Sequence, residues 1–154
     1  MTFAPDGTAL VVETGPLGGT NASAISSYLV QPGGVLTSLS ANVPTLVAGT
    51  CWVVLTPDGR FVYTANSASA SISGFSIVGA GSLNPLPGTV VALLPAGATN
   101  LDMDVSADGK FLYTLDTGNG ALGIFGIKQD GTLTALGSAS GILPAAGFNG
   151  LAAF

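Results

Sequence analysis

The sequence predicts an all-β chain made of three repeated four-stranded antiparallel sheets, and three observations predict it. A turn signature at Pro5-Asp6-Gly7 returns as Pro57-Asp58-Gly59 and Ala107-Asp108-Gly109, with the aspartates 52 and 50 residues apart. Strand-like segments follow each turn in the same phase. The composition, with 23 Gly and 9 Pro among 154 residues and abundant Ser, Thr and Val, suits short strands joined by tight turns. A period of about 50 residues is too long for a hairpin ladder and fits a repeated supersecondary unit.

The first strand of each repeat runs into the Asp-Gly turn: Met1-Thr2-Phe3-Ala4, Val53-Val54-Leu55-Thr56 and the stretch beginning Asn100-Leu101-Asp102-Met103-Asp104. The second runs out of it, with Ala9-Leu10-Val11-Val12 aligned on Phe61-Val62-Tyr63-Thr64 and Phe111-Leu112-Tyr113-Thr114. The third carries an aromatic residue three places after its first aliphatic: Ile25 to Val30 with Tyr28, Ile72 to Ile77 with Phe75, Leu122 to Ile127 with Phe125. The fourth begins two residues after a glycine, at Leu36 to Leu39, Leu83 to Leu86 and Leu133 to Leu136. Gly and Pro interrupt every candidate helical period. Four short strands per period describe one blade of a β-propeller, with blades at approximately 1–50, 51–99 and 100–149 and a closing strand at 150–154. A β-sandwich with coincidental turns is the competing architecture.

Charged residues make up 7% of the chain and gather in the turns: Asp6, Asp58, Arg60, Asp108 and Lys110 in the first turn of a blade, Lys128 and Asp130 in another. Residues 14 to 57 carry no charge, yet Pro, Gly, Ser and Asn break that stretch before a membrane span of roughly 18–20 apolar residues can accumulate. The apolar content fits sheets buried on both faces, as in packed blades. A net charge of −5 with three basic residues argues against nucleic acid and against an anionic membrane surface. The single cysteine, Cys51, excludes an internal disulfide and is expected to pack as a small apolar side chain, and the absence of His puts a His/Cys zinc site out of reach. No apolar leader is visible at the N-terminus, where a turn containing Asp6 stands.

The run Leu55-Thr56-Pro57-Asp58-Gly59-Arg60-Phe61-Val62-Tyr63-Thr64-Ala65-Asn66, followed by the Ile72 to Ile77 strand and the Gly81-Ser82-Leu83 turn, resembles a blade of the lactonase-type seven-bladed β-propellers. That family includes 6-phosphogluconolactonase and carboxymuconate cyclase relatives and surface or periplasmic propellers. The resemblance covers essentially the whole chain and rests on a packing motif; it implies an extracytoplasmic location and lactone chemistry as expectations. A seven-bladed ring at this period takes about 350 residues, and three blades do not close a ring. The expectation is therefore a partial propeller, completed by the remainder of a longer chain or by a second copy in a head-to-tail homodimer. In the dimer the strand at Leu151 to Phe154 of one copy completes the first sheet of the other, removing the raw edge.

Ligands of propellers usually meet the loops joining strands two and three and the loops leading into the next blade. Here these are Glu13 to Ala24, Asn66 to Ser71 and Asp116 to Ala121, together with Val43 to Thr50, Ala92 to Asn100 and Leu143 to Asn149. The first is longer by five residues around Gly15-Pro16-Leu17-Gly18-Gly19, without the Gly-Lys-Ser/Thr ending of a phosphate loop. Thr14, Asn66 and Asp116 form a polar column at the end of the second strand, suited to capping the turn or to binding a ligand. Asp102 and Asp104 lie two apart on a first strand and share a face, where they can hold a divalent cation or a hydroxyl. An enzyme reading needs a general base or metal and an electrophile. The acids available for it are Glu13 and Asp116 as catalytic candidates, with Asn66, Asp102 and Asp104 as ligand-binding ones. Arg60, Lys110 and Lys128 fall in turns on the opposite face. Two functions follow: a binding or structural propeller module without its own catalysis, and a lactonase-like hydrolase active only in a completed ring.

Overall fold

The computed structural model describes residues 1–16, 19–145 and 147–154, and among these residues the chain forms twelve strands and no helix. The first sheet holds β1 (Thr2–Phe3), β2 (Ala9–Glu13), β3 (Ala24–Val30) and β4 (Leu36–Pro44). The second holds β5 (Thr50–Leu55), β6 (Phe61–Asn66), β7 (Ser71–Val78) and β8 (Ser82–Leu93), and the third β9 (Asn100–Val105), β10 (Phe111–Asp116), β11 (Ala121–Ile127) and β12 (Leu133–Ser140). Every sheet is a four-stranded antiparallel meander in chain order. These are three blades of a β-propeller, packed face on face.

Alternation along the strands explains the packing. In the middle sheet, all six residues of β6 are buried. Val62 joins Leu10, Ile25, Val53, Phe75 and Leu83 in one cluster. Phe61, Tyr63 and Ala65 join Val54, Ile72, Met103, Leu112 and Phe125 in the other. A strand buried on both faces needs apolar residues at successive positions, which is why Phe61-Val62-Tyr63 reads as a continuous run. Tyr63 carries its polar end across the seam, where its hydroxyl donates to the Gly131 carbonyl at 2.8 Å. Burial pushes its phenol far above the ordinary range, with the charges of Asp58 and Asp130 adding to the shift.

The Asp-Gly turns are built alike. Thr56 Oγ1 donates to Asp58 Oδ1 at 2.6 Å and accepts from the Phe61 amide at 3.0 Å; Ser106 Oγ repeats this with Asp108 Oδ1 at 2.7 Å and the Phe111 amide at 3.0 Å. Gly59 and Gly109 have φ of 72° and 71°, where glycine is favoured. Successive turns also touch: a methyl placed on Gly59 would lie 3.1 Å from Pro5 Cδ, and one on Gly109 3.5 Å from Pro57 Cδ.

Three sequence expectations are corrected. The fourth strands run beyond their predicted ends, to Pro44, Leu93 and Ser140, because Asn42, Pro87-Gly88-Thr89 and Gly137 form bulges and not strand ends. Asn42 and Thr89 have φ of 51° and 59°, which marks the irregularity. The first turn is one residue shorter than the others: the Ala4 amide donates to the Thr8 carbonyl, whereas Thr56 reaches Phe61 and Ser106 reaches Phe111. Ala9 therefore stands with Val62 and Leu112, each facing the aromatic residue Tyr28, Phe75 or Phe125. Finally Cys51 is exposed, with Sγ 4.0 Å from the Asn100 carbonyl oxygen.

Candidate functional site

The shorter first turn changes the polar column at the end of the second strand. Glu13 pairs with Ala24, Asn66 with Ser71 and Asp116 with Ala121, so Glu13 and not Thr14 occupies the column. Three of the five candidate residues thus stand at one structural position, once per blade. Thr14 lies just beyond it and donates its hydroxyl to the Thr50 carbonyl at 2.8 Å, linking the first sheet to the second.

The three column residues meet different surroundings. Glu13 accepts a short hydrogen bond from Ser26 Oγ, which itself accepts from the Asn42 amide at 2.9 Å. Asn66 is fully enclosed: its Nδ2 donates to Ser71 Oγ and Ser73 Oγ at 3.2 and 3.0 Å, and its Oδ1 accepts from Thr50 Oγ1 and Thr64 Oγ1 at 2.6 and 3.2 Å. Two donors and two lone pairs are the whole capacity of an amide side chain. Asp116 Oδ1 accepts from the Thr99 and Asn119 amides at 3.0 and 3.2 Å, closing the turn after β10.

Asp102 and Asp104 share one face of β9, and their neighbour is the chain's own C-terminal segment. Asp102 Oδ1 accepts from the Met103 amide at 2.7 Å and Oδ2 from the Leu151 amide at 2.6 Å. Asp104 repeats the arrangement with Val105 at 2.8 Å and Ala153 at 2.8 Å. Carboxylates two residues apart thereby hold amides two residues apart, and residues 150–154 form no ladder with another strand. A hollow of about 330 Å³ beside them is lined by Met1, Thr2, Trp52, Val54 and Leu151. Burial raises the Asp102 carboxyl above the ordinary carboxylate range, and the charge of Asp104 adds to it; the Leu151 and Met103 amides oppose the shift. A cation taking these oxygens has to compete with four backbone amides. Among the described residues no group of three or more His, Cys, Asp or Glu side chains is placed to share a metal ion.

The basic residues lie at the Asp-Gly edge. Arg60 sits 3.9 Å from Asp58, 4.9 Å from the centroid of the Phe61 ring and 3.1 Å from the Gln129 carbonyl oxygen; Lys110 sits 3.1 Å from Asp108. Lys128 follows β11. The long first loop is fastened at its base by Ser23, whose hydroxyl donates to the Thr14 carbonyl at 2.7 Å and accepts from the Thr50 amide at 3.2 Å. Leu17 and Gly18 of its glycine-rich stretch lie outside the described residues. Sequence reasoning did not single out Ser26, Ser73, Thr45 or Thr50, which organise the column. For Ser26 and Ser73 the signal was a hydroxyl residue repeated at the same place in β3 and β7.

No family model matches this sequence, and no curated protein matches it. Solved structures do. A protein from Lactobacillus plantarum superposes with a TM-score of 0.72 at 25% identity, over 90% of this chain and 40% of its own. A candidate 6-phosphogluconolactonase from Bacteroides uniformis superposes with a TM-score of 0.74 at 18% identity, over 93% of this chain and 40% of its own. The periplasmic gluconolactonase PpgL of Pseudomonas aeruginosa gives 0.52 at 22% identity, over 96% of this chain and 58% of its own. The chain thus spans about 40% of the length of the first two. No helix of the described residues is long and apolar enough to cross a membrane. Three meander sheets packed in series and these superpositions lead to one conclusion: the chain is a three-bladed segment with the fold of the 6-phosphogluconolactonase-like β-propellers.

Proposed function

We propose that this segment serves as a binding or structural module of a lactonase-like propeller and carries no catalysis by itself. One observation carries the reading: apart from Asp116, whose Oδ1 alone is held, the candidate side chains on the side where a substrate would arrive are engaged by the chain's own groups. Asn66 has no remaining hydrogen-bonding capacity, Asp102 and Asp104 hold the Leu151 and Ala153 amides, and Glu13 holds Ser26. Arg60 and Lys110, which could polarise a lactone carbonyl or bind a phosphosugar, are paired with aspartates at the other edge. The test is hydrolysis of sugar lactones followed by pH-stat, with and without Mg²⁺ or Ca²⁺. Turnover above the uncatalysed rate that is lost in alanine variants of Glu13, Asp102, Asp104 or Asp116 overturns the module reading.

The second reading is a lactone hydrolase that works only in a completed ring, supported by the similarity to a candidate 6-phosphogluconolactonase and to a periplasmic gluconolactonase. In either reading the outer faces of the first and third sheets are covered by further blades, from a longer chain or from a second copy arranged head to tail. Val30 and Leu36 on the first sheet and Phe111 and Leu136 on the third are exposed here, as that arrangement needs. Light scattering that finds a stable monomer eliminates the two-copy arrangement. An extracytoplasmic location accords with the periplasmic relative, and cell fractionation checks it.

A further inference from the structure

The seam between the second and third sheets differs from the seam between the first and second at equivalent positions. In the first seam Ser73 Oγ, two residues past Ser71, bonds Asn66 and donates to the Thr45 carbonyl at 2.9 Å, and Thr45 Oγ1 lies 3.1 Å from Thr50 Oγ1. Hydroxyls fill that space. In the second seam Gly123 stands where Ser73 does and Asp116 where Asn66 does. Leu94 stands where Thr45 does, each donating its amide to the residue before the third strand, Ala70 or Ser23. Loss of the Ser73 side chain and of the Thr45 hydroxyl at these positions leaves an apolar pocket of about 600 Å³, lined among others by Leu94, Phe125, Ala135 and Asp116.

Asp116 is 4% exposed and lines this pocket; its Oδ1 is held by two amides, while Oδ2 stays accessible and has no hydrogen-bond partner among the described residues. A carboxylate oxygen that opens onto an otherwise apolar pocket can accept a donor there, and an ammonium group supplies the strongest. The volume falls in the range of small-molecule pockets, roughly 300–1,000 Å³. We propose that this pocket between the second and third sheets binds a small apolar amine, its hydrocarbon against Phe125, Leu94 and Ala135 and its ammonium on Asp116. The same carboxylate repels anions, so sugar acids and phosphosugars are refused. Both walls belong to blades present in this chain, and the inference does not rest on the scaffold reading.

The probe is benzylamine, with benzoate as its anionic match, titrated into the isotope-labelled 154-residue chain and followed by amide NMR at low ionic strength. Benzylamine is expected to move the amides of Gly123, Phe125 and Ala135, and benzoate is not. Asp116→Asn keeps an oxygen for the Thr99 and Asn119 amides and loses the charge; binding should weaken at least about fivefold with the spectrum still dispersed. Absence of shifts up to about 20 mM, shifts confined to other residues, equal binding of benzoate, or unchanged affinity in Asp116→Asn each overturn the proposal. Should Asp116→Asn fail to fold, Ala135→Leu fills the pocket from an exposed strand position; loss of binding supports the proposal and retained binding overturns it.

Discussion

Asp102 accepts a 2.6 Å hydrogen bond from the backbone amide of Leu151, 49 residues further along the chain. With the matching pair of Asp104 and Ala153, it fixes the C-terminal segment beside β9 through side chains alone. Charge-assisted bonds of this kind contribute roughly 1.5–3 kcal/mol when enclosed. The double variant Asp102→Ala/Asp104→Ala is therefore expected to accelerate amide hydrogen exchange at Leu151 and Ala153 by about tenfold or more while leaving Tyr63 and Phe75 protected. Unchanged exchange at both amides would show that other contacts hold the segment.

Acid should act on the turns first. The Ser106 hydroxyl, joined by the Lys110 amide, brings the Asp108 carboxyl from 3.8 down to about 2, and the Thr8 amide lowers Asp6. A carboxyl lowered in the folded state contributes stability that is present above its unfolded value and is lost as pH falls through its folded value. That loss falls between about 3.8 and about 2 for Asp108. Asp102 acts in the opposite sense, because burial raises its carboxyl, so its charge costs stability at neutral pH and protonation relieves the cost. Thermal melts from neutral pH to about pH 2 should show a flatter acid limb in Asp108→Asn and a loss of any mildly acidic gain in Asp102→Asn.

Gly131 is a site where a methyl group should be poorly tolerated. Its φ is 82°, an added Cβ would lie 2.5 Å from the Phe61 ring, and its carbonyl accepts from Tyr63. Gly131→Ala is expected to cost about 2–4 kcal/mol in denaturant unfolding, combining backbone strain with a clash. Gly79→Ala, with φ of 57° and open space around it, should cost only the strain, about 1 kcal/mol.

Thr56 ties a turn to a strand with one hydroxyl that both donates and accepts. Thr56→Val keeps the shape, leaves the buried Phe61 amide without that acceptor, and should cost about 1–3 kcal/mol by chemical denaturation. Thr56→Ser should recover most of it.

The strand order and the three sheets were legible because each repeat carries its own turn, aromatic residue and glycine, so the columns checked one another. The bulges were not, since Asn42, Pro87-Gly88 and Gly137 are turn residues by local chemistry and only pairing with β3, β7 and β11 keeps the strand going. The register of Glu13 was hidden by the single residue missing from the first turn. Asp102 and Asp104 were visible as a pair on one face, but their partners are amides, which no side-chain pattern announces. Glu13, Asn66 and Asp116 could be listed as polar ends of strands; the difference between an enclosed amide and a half-satisfied carboxylate depends on Ser73 and Gly123 across the sheet.

Pro5 lies against Gly59 and Pro57 against Gly109, so every proline of the repeated turn touches the turn of the following sheet. A rigid ring against a bare glycine leaves no side chain between the two turns, so the edges of neighbouring sheets approach closely there. In the third copy of the turn Ala107 takes the proline's place.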